Sequence, residues 1–108
     1  MVRGKFPVPV NPDEVARDWQ RRGFSCSPFV DPPGRRWVDF VHAEDELLTV
    51  VEGRLRVTLE GGAGEGDEGP ISCVVGPGDE VHIPAGTRHS VENVHPGTTR
   101  WLYGYRRA

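Results

Sequence analysis

The chain has 108 residues, 36% hydrophobic and 27% charged, with a formal net charge of −3. That is about one domain, with a core large enough to fold without disulfides or a structural metal, and too short for a two-domain cofactor enzyme or a (β/α)8 barrel. The slightly acidic balance argues against a nucleic-acid partner, and no apolar run approaches the roughly 20 residues that cross a membrane as a helix.

The first ten residues, MVRGKFPVPV, carry two prolines and no uninterrupted apolar stretch. They read as an extended arm rather than a secretion signal, so a cytoplasmic protein is expected. The next segment, NPDEVARDWQRRG, has helix punctuation at both ends. Asn11 suits the N-cap and Pro12 the first turn, with Asp13 and Glu14 at the positive end of the dipole. Arg21 and Arg22 suit the negative end, and Gly23 stops the helix. Val15 and Trp19 share one face, so a short amphipathic helix docked by Trp19 is predicted.

From there the hydrophobic period becomes two. Strands are predicted at 24–30, 35–42, 47–52, 54–60, 71–75, 80–83, 88–93 and 99–106, separated by segments rich in glycine and proline. Eight short strands in a chain of this length predict an all-β protein, a double-sheet jelly roll or small barrel carrying one short N-terminal helix. Residues 1–34 form an arm, helix and first strand packed on the barrel of 35–108, within one structural domain. The loop 61–70 has no lysine and several acids, so it reads as an exposed hairpin tip rather than a phosphate cradle. Cys26 and Cys73 match no zinc spacing and read as two reduced, buried thiols.

The histidines His42, His82, His89 and His95 carry the chemistry, together with Glu46. In one continuous strand His42 and Glu46 would lie about 13 Å apart. The intervening Ala43-Glu44-Asp45 is polar and strand-breaking. If the chain reverses there, an imidazole and a carboxylate come within chelating range. His89 opens a strand after the turn IPAGTR and supplies a third candidate ligand. Two histidines and one carboxylate suit iron, zinc, manganese, nickel or cobalt.

The stretch GDEVHIPAGTRHSVEN, residues 78–93, resembles the second motif of the cupin superfamily, with Gly78, Pro84, Gly86, His89 and Asn93 at its fixed positions. His42, Glu46 and Gly53 match the first motif at its spacing. The resemblance implies a jelly-roll barrel of the small single-domain type. It also implies one divalent transition metal on His42, Glu46 and His89. The first histidine of that motif is replaced by Phe40, which cannot coordinate a metal. Strand parity turns His82 and Asp39 away from the site, and His95 falls in the turn VHPG, where it is expected to be exposed.

Trp101, Tyr103 and Tyr105 share one parity on the last strand. With Phe40, and with Trp37 despite its different parity, they could wall a ligand pocket at the barrel mouth. Three functions follow. The first is a metal-dependent oxidoreductase of dioxygenase type, or an isomerase, acting on a small molecule. The second is a metal-free barrel that binds or senses a small ligand. The third is a metal-free epimerase-like enzyme, disfavoured by the absence of a basic diphosphate site. A homodimer is expected, with residues 1–10 able to add a strand to a partner's sheet edge.

Overall fold

A computed structural model describes residues 1–60 and 71–106. The helix α1 spans Pro12–Arg21, followed by β1 (Ser27–Asp31), β2 (Arg36–Phe40), β3 (Glu46–Glu52), β4 (Leu55–Leu59), β5 (Ile71–Val75), β6 (Glu80–Ile83), β7 (His89–Asn93) and β8 (Thr99–Tyr105). The strands form two antiparallel four-stranded sheets, ordered β1-β8-β3-β6 and β2-β7-β4-β5. This is the expected double-sheet jelly roll. Among the described residues its sheets face each other without closing into a barrel. The acidic loop 61–70 lies outside the described residues.

The helix forms as its punctuation predicts. The Asn11 side chain accepts the Asp13 backbone N–H, and Gly23 takes a positive φ of 87° just beyond the helix. Val15 and Trp19 are fully buried, together with Phe6, Val10, Phe24, Leu47 and Leu102. A second cluster fills the space between the sheets, with Leu48, Val50, Leu55, Val57, Val75, Val81, Ile83, Val91 and Trp101. Strand β3 contributes to both, since Leu47 faces the helix while Leu48 and Val50 face the opposite sheet. A strand covered on both faces reads as a continuous apolar run, as LLTVV does in β3.

The helix is tethered by one buried carboxylate. Glu80 accepts the Trp19 indole N–H at 3.0 Å and two Arg22 guanidinium bonds at 2.9 Å each. Its pKa is held below the ordinary glutamate range: burial pushes it up, but the bonds from Arg22 and Trp19, reinforced by the charges of Arg22 and Lys5, outweigh that.

The arm docks on the chain's own sheet. Val2 exchanges backbone hydrogen bonds with Glu80 at 2.8 and 2.9 Å, and the Phe6 N–H donates to the Gly78 carbonyl at 3.0 Å. The arm therefore covers β6, at the edge of its own sheet. Close approach requires glycine at position 78, whose φ is +86° and where a Cβ would collide with the Phe6 carbonyl oxygen.

Three further expectations change in detail. Phe24 lies ahead of β1, buried against the helix, where its N–H donates to the Trp19 carbonyl. Cys26 and Cys73 are free, as expected, but only half-buried, because each packs at the margin of a different apolar cluster. His95 is half-buried rather than exposed. Its backbone N–H donates to the Asn93 side chain, and its Nδ1 is buried without a hydrogen-bond partner among the described residues.

Candidate metal centre

The site is built where two turns are laced together. The chain leaves β2 at Phe40 and reverses before Glu46, which opens β3. The Gly86 N–H donates to the His42 carbonyl at 2.8 Å, and the Ala85 N–H donates to the Asp45 side chain at 2.7 Å. Those bonds tie the turn carrying His42 to the Pro84–Thr87 turn that delivers His89.

His42, Glu46 and His89 converge, each offering a donor atom within 4.8 Å of the others. Glu46 Oε1 lies 3.7 Å from His42 Nε2 and 3.3 Å from His89 Nε2. His89 is 2% exposed and Glu46 5%. The His89 Nδ1 lies 2.9 Å from the Thr87 carbonyl oxygen. A carbonyl only accepts, so in the neutral ring Nδ1 carries the proton and Nε2 turns its lone pair to the site.

The donor set suits a metal ion, and the 3.3 Å between Glu46 Oε1 and His89 Nε2 already has the spacing of shared ligands. Ligand atoms each about 2 Å from a common ion lie roughly 3–3.5 Å apart in adjacent positions. Glu46 Oε1 is buried and has no hydrogen-bond partner among the described residues. A buried carboxylate oxygen left unpaired is costly, and a cation between it and the two imidazoles would satisfy it. In the protein without metal, burial favours neutral His89. The Glu46 carboxylate and the Thr87 carbonyl outweigh burial and raise its pKa above the ordinary histidine range.

Above the three donors lies a cavity of about 180 Å³, open on one side. Phe40, Trp101, Tyr103 and Tyr105 all line it. Phe40 is the register partner of His89 and stacks near His42, ring centroids 5.9 Å apart. The Tyr105 hydroxyl lies 3.3 Å from His42 Nε2. Burial, then the negative charge of Glu46, pushes the Tyr105 pKa up to about 12, so it stays a neutral phenol.

Trp37 lines the cavity beside Phe40, with ring centroids 5.8 Å apart. The two have opposite parity in sequence, but the β2–β7 register shifts between them, which turns both inward. His82 points away, 48% exposed at its side chain, and its Nε2 lies 3.4 Å from Asp45. The Asp39 side chain lies outside the described residues.

Sequence reasoning missed Phe29 and Val91 in the wall, and it missed Asp31. Left outside the strands predicted at 24–30 and 35–42, Asp31 is fully buried at the end of β1. One carboxylate oxygen accepts the Trp37 indole N–H at 3.1 Å and the other accepts that of Trp101 at 2.9 Å. Its signal was its place at the end of a strand with indoles six and seventy residues away, which no local pattern reveals. Asn93, the last fixed position of the second motif, is structural. Its amide contacts the carbonyls of Asp31, Pro32 and Gly97, and its oxygen accepts from Thr99.

Comparison with known proteins places this geometry in a family. The model of the cupin domain matches residues 29–105. No curated protein matches the chain. Among solved structures it is similar to an oxalate oxidase, at 26% identity and a TM-score of 0.70, over 79% of this chain and 42% of that one. The chain thus spans less than half the length of that enzyme. The cupin domain of Drosophila melanogaster CENP-C is similar in fold, at 20% identity and a TM-score of 0.65, over 74% of this chain and 59% of that one. So is the protein TT1209 from Thermus thermophilus, at 20% identity and a TM-score of 0.62, over 79% of this chain and 74% of that one. With a match running from β1 to the end of β8 over both motifs, the chain belongs to the cupin family.

Proposed function

We propose that this cupin holds one divalent transition metal, of the group iron, zinc, manganese, nickel and cobalt, on His42, Glu46 and His89, and acts on a small molecule in the aromatic cavity. The observation that carries the reading is the convergence of the buried Glu46 Oε1 with two imidazole nitrogens, 3.3 Å from His89 Nε2 and 3.7 Å from His42 Nε2. When bound, such a metal supplies a Lewis acid that polarises a carbonyl, or a centre for redox chemistry. Three protein ligands leave positions for a substrate. The chain's own groups orient that substrate: Phe40 and Tyr103 shape the wall, and the neutral Tyr105 hydroxyl donates a hydrogen bond toward the site. The reaction is that of a dioxygenase-type oxidoreductase or an isomerase, and likeness to an oxalate oxidase supports the enzyme reading.

A metal-free ligand-binding role is the second reading, favoured by Phe40. Its ring stands 6.0 Å from that of His89 and places apolar surface where the family resemblance implies a further ligand. Cobalt(II) titration separates the two. Wild-type protein should develop a visible absorption band that saturates at one equivalent, and Glu46→Gln should lose it; no band in wild type favours the second reading. Two free thiols fit a reducing cytoplasm. A homodimer, the commonest closed assembly, is the proposed state, read by light scattering at micromolar concentration.

A further inference from the structure

We infer that the cavity takes a neutral, compact aromatic molecule with an oxygen-donor head, and that it discriminates against a ligand with a carboxylate at its far end. This deepens the proposed function and rests on it for the head-group contact.

The cavity wall is divided by polarity. At one end stand His42, Glu46, His89 and the Tyr105 hydroxyl. The rest is Phe29, Trp37, Phe40, Val91 and Trp101, with Tyr103 beside them. The two indoles would ordinarily bring hydrogen-bond donors to such a wall. Here both N–H groups are spent on Asp31, which is fully buried. They present ring surface and no donor to a ligand. Phe29 packs edge-on against Trp37, Trp101 and Tyr103, with centroids 5.5–6.3 Å apart, so this surface is a fixed aromatic box.

Charge points the same way. Among the described lining residues none is lysine or arginine, and the one acid is Glu46. Arg35 stacks on Trp37 at 4.3 Å from the ring centroid but does not line the cavity. A carboxylate at the far end of a ligand would lose its water there and gain no cation in exchange, with only the Tyr103 hydroxyl among the described lining residues of that part to donate to it, which is costly. A ring pays no such penalty and buries its apolar surface. The volume of about 180 Å³ compares with cavities that take a benzene-sized molecule.

The test holds the head group constant and varies the body. Benzohydroxamate, acetohydroxamate and the monohydroxamate of succinic acid share one oxygen-donor head on a phenyl, a methyl and a carboxylate-bearing body. Their dissociation constants are measured by calorimetry on the full chain after metal reconstitution, with metal content determined on the same samples. Benzohydroxamate should bind at least tenfold tighter than acetohydroxamate, and the carboxylate-bearing compound no tighter than acetohydroxamate. Phe29→Ala should erase the phenyl advantage while leaving metal content unchanged; Trp37→Leu serves if that variant does not fold. About one metal per chain with no phenyl advantage, or with the carboxylate preferred, would overturn the inference and leave the metal centre standing. Absence of metal with the phenyl advantage retained would sustain the ligand class and remove the metal centre. No binding by any of the three would overturn the inference, and the metal content of the same samples decides separately whether the metal centre stands.

Discussion

Phe40 stands directly across the β2–β7 ladder from His89, and the two rings lie 6.0 Å apart. A phenyl ring thus occupies a position from which a side chain reaches the three-donor cluster. Phe40→His would add an imidazole beside His42, Glu46 and His89. Metal affinity should rise at least tenfold, measured by competition with a chromophoric chelator. Unchanged affinity would mean that position 40 does not reach the shared ion.

The residues alone made the convergence of His42, Glu46 and His89 conditional on a reversal at 43–45, and it was the resemblance to the two motifs that named the three together. The strand-breaking turn at 43–45 and the glycine-proline turn at 84–86 bring the ends of three strands together. Parity served equally well on β8, where Trp101, Tyr103 and Tyr105 follow an unbroken pleat into the cavity. It failed on β2, because the register shift between Trp37 and Phe40 exchanges faces within four residues. Long-range pairings were the other blind spot. Asp31 gains its role only when β1 and β8 pair, bringing it near Trp101, and the arm's docking on β6 depends on the close approach at Gly78.

Asp31 supports a stability prediction. Asp31→Ala would leave the Trp37 and Trp101 N–H groups without their acceptor, one of them buried and one partly buried. At about 1–3 kcal/mol for each buried group left unpaired, the loss should be about 2–4 kcal/mol in urea unfolding. Asp31→Asn retains one acceptor oxygen and should cost less. Equal costs for the two variants would mean that the indole bonds contribute little.

Glu80 gives the fold a defined acid sensitivity. Its folded pKa lies below the ordinary value of 4.5. A depressed carboxylate contributes stability that is fully present above the unfolded pKa and is lost as pH falls through the folded one. Stability should therefore decline as pH drops below about 4.5. Glu80→Gln should flatten that part of the profile and cost about 1–3 kcal/mol at neutral pH, at the lower end because Arg22 is partly exposed. Parallel profiles for wild type and variant between pH 3 and 6 would exclude Glu80 as the source.

If His42, Glu46 and His89 hold one metal ion, metal content measured by plasma mass spectrometry on untagged protein, beside a His89→Ala variant, reads it out. Wild type should carry about one transition metal per chain, lost in the variant with the fold retained by circular dichroism. No metal in wild type, even after reconstitution with iron, zinc, manganese, nickel and cobalt, would contradict it.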